Sequence, residues 1–107
     1  MPIYNKLVRD NIPHIIEATG KSFETRILEN DEYVNELKKK SFEELDEYMT
    51  AETNAEAVEE LADLMEIIKA FAEVHGSSLA EVEKIRQEKA EKRGGFEEKV
   101  FLVRVED

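Results

Sequence analysis

The chain has 107 residues, which sets an expectation of one domain over 1–107 with a modest core and no room for a second. Charged residues reach 38% and the formal net charge is −11, which argues against direct binding to nucleic acid, whose phosphate backbone requires a positive surface. The absence of cysteine removes disulfides, thiol nucleophiles and cysteine-based zinc sites together, and no long apolar run or signal-type stretch occurs, so no membrane partner and a soluble cytoplasmic protein are expected.

Taken in order, the segment from Tyr4 to Arg9 reads as a brief strand or an extended lead. Asp10-Asn11-Ile12-Pro13 then has the form of a helix start, with Asp10 or Asn11 as N-cap and Pro13 in the first turn, where its missing N–H costs nothing. That helix is short and stops at Gly20. Phe23 to Leu28 alternates apolar and polar residues and is expected as a strand.

A second helix is expected from a cap at Asn30 or Asp31 to about Thr50. Val34, Leu37, Ser41, Leu45, Tyr48 and Met49 share one side at helical spacing, with Glu44 at its edge and Glu47 one step further round. Thr53 and Glu56 form a capping box that opens the strongest helix, which ends at His75 before Gly76. Its apolar arc includes Val58, Leu61, Ala62, Leu64, Met65, Ile67, Ile68, Phe71 and Ala72 and covers more than half the circumference. An arc this wide exceeds what three other short helices can bury and predicts a homodimer or higher homo-oligomer.

Glu60 interrupts that arc, on the stripe of Leu64, Ile67 and Phe71, and Asp63 lies at its border beside Ile67. An unpaired carboxylate there costs several kcal/mol of stability, and a cation removes the cost. Glu44 with Glu47 and Glu60 with Asp63 are pairs three residues apart, each on one helix face. With 26 acidic residues such pairs arise by chance, as Glu43 with Asp46 does, and a solvated helix face accounts for any single one. Two pairs on consecutive helices, one of them set into an apolar stripe, favour a divalent-cation site if the helices pack as an antiparallel hairpin.

Ser78 and Glu81 form another capping box, opening a helix from Leu79 to about Arg93 that Gly94-Gly95 ends. Val100 to Val105 is a continuous β-branched and aromatic run, expected to pair with 23–28 and the N-terminal segment. The fold class is therefore mainly α, an antiparallel helix bundle with a small β-sheet. Lys6, Arg9, Lys89, Lys92 and Arg93 have the chemistry to hold phosphate oxygens, although each alone reads more readily as an ordinary surface charge, since the chain has fifteen Lys and Arg to place. His14 and His75 are isolated and read as surface or helix-end residues.

The series Lys6-Leu7-Val8-Arg9-Asp10 with Ile12-Pro13, Glu43-Glu44-Leu45-Asp46-Glu47, Glu60-Leu61-Ala62-Asp63, Lys89 and Arg93-Gly94-Gly95-Phe96 resembles the MazG-like branch of the all-α nucleoside triphosphate pyrophosphatases. That superfamily includes dimeric dUTPases and phosphoribosyl-ATP pyrophosphatase, and the two chain ends are similar to a small house-cleaning subgroup. The resemblance implies Mg²⁺, with Mn²⁺ as a substitute, held by Glu44, Glu47, Glu60 and Asp63, and phosphate contacts from Lys89, Arg93, Lys6 and Arg9. It implies hydrolysis of a nucleoside triphosphate, non-canonical or surplus, between the α- and β-phosphates, with Glu47 as the carboxylate that activates water. The alternatives are an inactive helical interaction module and a pyrophosphohydrolase of a phosphoribosyl nucleotide. The spacing between the acidic pairs is at the short end for the family, so the hairpin must be tight.

Overall fold

Signals at the helix ends set the element boundaries. A computed structural model, which describes residues 2–107, contains α1 (Ile12–Ala18), α2 (Asn30–Met49), α3 (Asn54–Val74) and α4 (Leu79–Arg93). The Thr53 hydroxyl accepts from the Glu56 N–H at 3.1 Å, and Ser78 does the same for Glu81 at 3.1 Å, so the N-cap half of each expected capping box is in place. Helix α3 ends in a Schellman turn: Ser77 N–H donates to the Ala72 carbonyl at 2.8 Å and Gly76 N–H to that of Glu73 at 3.0 Å. Gly76 adopts φ +72°, a conformation that costs glycine least.

Asn11 stands at the N-cap of α1 as expected, though without a side-chain bond, with Pro13 in the first turn. The cap of α2 differs from expectation: Glu29 precedes the helix, so that Asn30 and Asp31 lie inside it. Arg26 supplies the missing restraint. Its guanidinium grips Glu32 in the first turn of α2 with two hydrogen bonds, at 2.9 and 2.5 Å, a bidentate geometry that holds the preceding segment to the helix.

Residues 50–53 join α2 to α3, and the two helices pack along each other as a tight antiparallel hairpin. Leu37 (4% exposed), Ile67 and Ala72 are the buried apolar residues, with Val34, Leu64 and Phe71 half-buried around them. On α3 the inward stripe is Glu60, Asp63, Leu64, Ile67 and Phe71, which matches the sequence pattern. On α2 it departs from it. The inward line runs Val34, Leu37, Lys40, Ser41 and Glu44, whereas Leu45, Tyr48 and Met49 are exposed. Contact with α3 follows i, i+3, i+7 steps from Leu37, and that line meets polar residues in the second half of the helix.

No strand forms among the described residues. Segments 23–28 and 100–105 are coil, Ile27 is 95% exposed and Phe101 87%, and the expected small sheet is absent. Strand propensity expresses fit to a half-buried pleated surface, and the isolated chain offers these segments neither a pairing edge nor a face to cover. Helix α4 packs on α3, and α1 touches no other helix among the described residues.

The single chain is therefore open. Its radius of gyration is 18.4 Å, against about 13 Å for a compact domain of this size. Its accessible surface of 10035 Å² compares with about 6,100 Å² for a folded monomer of this mass. No helix is long and apolar enough to cross a membrane among the described residues.

The small core makes unequal demands on single residues. Leu37→Ala is expected to lower stability by about 2–4 kcal/mol through cavity formation and Thr53→Ala by about 1 kcal/mol through loss of a cap, both read from urea unfolding. Equal costs would contradict the placement of Leu37 at the centre of the hairpin.

Candidate metal centre

Helical spacing and the hairpin together assemble the acidic site. Glu44 and Glu47 occupy successive turns near the end of α2, Glu60 and Asp63 successive turns near the start of α3, and the short loop puts those turns side by side. One carboxylate oxygen from each of the four lies within 4.8 Å of all the others. Opposite oxygens of an octahedral Mg²⁺ shell are about 4.2 Å apart, so the separation is close to what one ion would require.

Burial decides how such a cluster is read. Glu44 is only 7% exposed, Glu60 and Asp63 are half-buried, and Glu47 stands at the open side. The Oε2 atoms of Glu44 and Glu60 are buried with no hydrogen-bond partner. Two orphaned carboxylate oxygens, one from each helix, facing two further acids, form a donor set that fits a hard divalent cation.

The inequality between the two pairs is the reverse of what the sequence suggests. Glu44, expected at the edge of a helix face, is the most buried acid, because the contact line of α2 passes through it. Glu60 lies on the inward stripe as expected but keeps more access to solvent.

The electrostatics follow from this placement. Burial raises the Glu44 carboxyl above its ordinary range, the neighbouring Glu47 adds to the rise, and Lys40 opposes it. Burial also raises Glu60, with Asp63 and Glu44 adding repulsion while the neighbouring Glu47 works the other way. Glu43 lies outside the cluster. Although burial works against its charge, Lys6 and Lys40 hold its carboxyl below the ordinary range, so its pairing with Asp46 in sequence has no counterpart in the site.

The expected basic residues divide into two groups. Lys6 donates to Glu43 at 3.2 Å and Arg9 to Asp63 at 2.7 Å, so the segment before α1 is tied across both helices of the hairpin. Leu7 between them is half-buried. Lys89, Lys92 and Arg93 are exposed on α4 and make no ion pair among the described residues. His14 and His75 are exposed, as expected.

Lys40 is the residue that motif reasoning passes over. It is half-buried, one turn before Glu44, with its ammonium 3.4 Å from Glu44 Oε1 and 3.3 Å from Glu43 Oε2. Its i, i+3 and i, i+4 spacing to two acids was the available signal.

A shallow cavity of about 110 Å³ opens beside Lys40, lined by Asn5, Lys6, Leu7, Glu36, Lys39 and Glu43. A larger one of about 460 Å³ lies at the far end of the hairpin, around Tyr33, Val34, Ala70 and Val74. Neither encloses the four acids, so the single chain supplies the acidic floor of a site without its walls. Comparison with known protein families, curated proteins and solved structures found no significant match for the chain.

The raised carboxyls predict how the metal-free protein responds to pH. Because Glu44 and Glu60 bind protons more readily folded than unfolded, their contribution is fully favourable below the unfolded value near 4.5 and is lost as pH rises through the raised folded values. The melting temperature without metal should therefore rise as pH falls from 7 toward 5, and Mg²⁺ should recover the deficit at pH 7. A flat or falling melting temperature over that range would contradict the assignment. Glu44→Gln should stabilise the metal-free fold at pH 7 by about 1–2 kcal/mol, and thermal unfolding checks the sign.

Proposed function

We propose that the protein is a Mg²⁺-dependent pyrophosphohydrolase of nucleoside triphosphates, of the MazG-like kind that its motifs resemble. The observation that carries this reading is the pair of buried, partnerless oxygens on Glu44 and Glu60, facing Glu47 and Asp63. A helical scaffold gains nothing from two such groups, whereas a cation site requires them. Mg²⁺ when bound supplies a Lewis acid for phosphoryl oxygens and an activated water near neutral pH.

The chain's own residues divide the remaining work. Glu44, Glu60 and Asp63 set the position of the bound charge. Glu47, at the exposed side, is placed to orient the attacking water and take its proton. The bond between the α-phosphorus and the bridging oxygen to the β-phosphate breaks, pyrophosphate leaves with that oxygen, and the nucleoside monophosphate keeps the hydroxyl oxygen from water. Arg9 and Lys6 lie near enough to the acids to stabilise the departing anion, whereas Lys89 and Arg93 enter only in an assembled protein.

Assembly as a homodimer or higher homo-oligomer belongs to the same proposal. Val58, Leu61, Met65 and Ile68 form an exposed apolar row on α3, and Phe42, Leu45 and Met49 are exposed on α2. The surface in excess of a compact monomer is about 3,900 Å², more than the roughly 1,000–2,500 Å² per partner that large obligate interfaces remove. An extensive interface, which would also cover the 100–105 tail, accounts for this surface and supplies walls for the site.

The test is a panel of nucleoside triphosphates and a phosphoribosyl nucleotide with Mg²⁺, scored for pyrophosphate and phosphate. Pyrophosphate should be the product, and Glu60→Gln should lower its release at least ~100-fold, on the scale of losing a key electrostatic group, with helical content unchanged. Phosphate as the main product, or unchanged turnover in Glu60→Gln, would overturn the reading. Light scattering should return at least twice the chain mass.

A further inference from the structure

Two of the four site acids already carry a counter-ion from the chain itself. Lys40 faces Glu44, and Arg9 faces Asp63; Glu47 and Glu60 have none among the described residues. The two cations come from different places, one from α2 and one from the segment before α1, yet they flank the same cluster. Lys40 is shared between two carboxylates at 3.3 and 3.4 Å, longer than the 2.7–2.9 Å or so of a committed charge-assisted bond. Its hold leaves Glu44 Oε2 unsatisfied. Arg9 makes a short bond, but its own side chain is exposed and its half-buried partner is only partly shielded, where an ion pair stabilises little and exchanges readily.

Beside Lys40 lies the cavity of about 110 Å³, with the ammonium groups of Lys6, Lys39 and Lys40 against the carboxylates of Glu36 and Glu43. While Glu44 is a bare carboxylate, Lys40 is occupied. Once the charge of Glu44 is met by a divalent ion, Glu43 alone holds Lys40, and Lys6 already neutralises Glu43 at 3.2 Å, so the cavity carries one more positive than negative charge. An anion that bridges ion and cavity is the matching ligand, and a chain of phosphates has that form.

Resting on the metal reading above, we propose that Lys40 and Arg9 are exchangeable counter-ions: each neutralises a site acid in the metal-free protein and turns to the terminal phosphates of a polyphosphate in the loaded one. Lys40 and its cavity form the subsite for those phosphates. The device keeps an acidic site from standing bare, and it orders binding, since the polyphosphate contacts become available only after the divalent ion is in place.

The exchange has a signature of opposite signs. Mn²⁺ binding is measured by electron paramagnetic resonance on the full chain, and the Mn²⁺-saturated protein is then titrated calorimetrically with inorganic tripolyphosphate. Lys40→Met and Arg9→Met should each bind Mn²⁺ about three- to tenfold more tightly, because a competing charge is gone, and tripolyphosphate about tenfold more weakly. Lys40→Arg should restore both, and Lys38→Met, an exposed charge on the same helix, should move neither. Circular dichroism checks that each variant keeps its helices. Affinities that fall together in Lys40→Met and Arg9→Met, or that do not move, overturn the exchange while leaving the metal site standing. An unsubstituted protein that binds no Mn²⁺ overturns the metal reading and the exchange with it.

Discussion

Four carboxylates held between two helices repel one another, and that repulsion is the constraint to which the rest of the structure answers. The hairpin of α2 and α3 would pack more comfortably with an apolar residue at position 44, where the contact line passes, than with a glutamate that is 93% shielded from water. Burial first, and repulsion from neighbouring acids second, raise the Glu44 and Glu60 carboxyls. Such an arrangement lowers the stability of a protein whose buried apolar core is already small. It is intelligible as a site that a divalent cation completes, and the short N-terminal segment tied across the hairpin by Lys6 and Arg9 fits the same electrostatic logic.

The openness of the chain belongs to this picture too. A hairpin with one docked helix and long extended ends cannot cover the apolar side of α3 or enclose a nucleotide. The acids lie on the inner side of the hairpin, whereas Val58, Leu61, Met65 and Ile68 lie on another side of α3. Association through that outer row would bury apolar surface without competing with the acids for space. The exposed apolar row and the acidic cluster thus occupy different faces of one helix.

Much of this was legible in the sequence, for reasons that differ by element. The ends of α3 and α4 were readable because Thr53 with Glu56, Ser78 with Glu81, and Gly76 are local chemistry that tertiary packing seldom overrides. The two acidic pairs were readable because i, i+3 spacing puts each pair on one helix face before any packing occurs, and the short loop invites the hairpin that brings them together. The burial of Glu44 was not. It depends on which line of α2 meets α3, and the apolar residues Leu45, Tyr48 and Met49 pointed the eye to a neighbouring face. The strands failed for a related reason: β propensity at 23–28 and 100–105 says what those residues would do given a partner edge, and a single chain contains no statement of whether one is present. Lys40 escaped because a lysine before two glutamates on a helix is the most ordinary of surface patterns.

Whether these four acids hold a cation is decided by anomalous diffraction from a crystal grown with Mn²⁺. A peak is expected bounded by Glu44, Glu47, Glu60 and Asp63, with Lys40 and Arg9 drawn away from their carboxylates. A crystal with no peak there, in which Lys40 and Arg9 still pair with Glu44 and Asp63, would contradict a cation site.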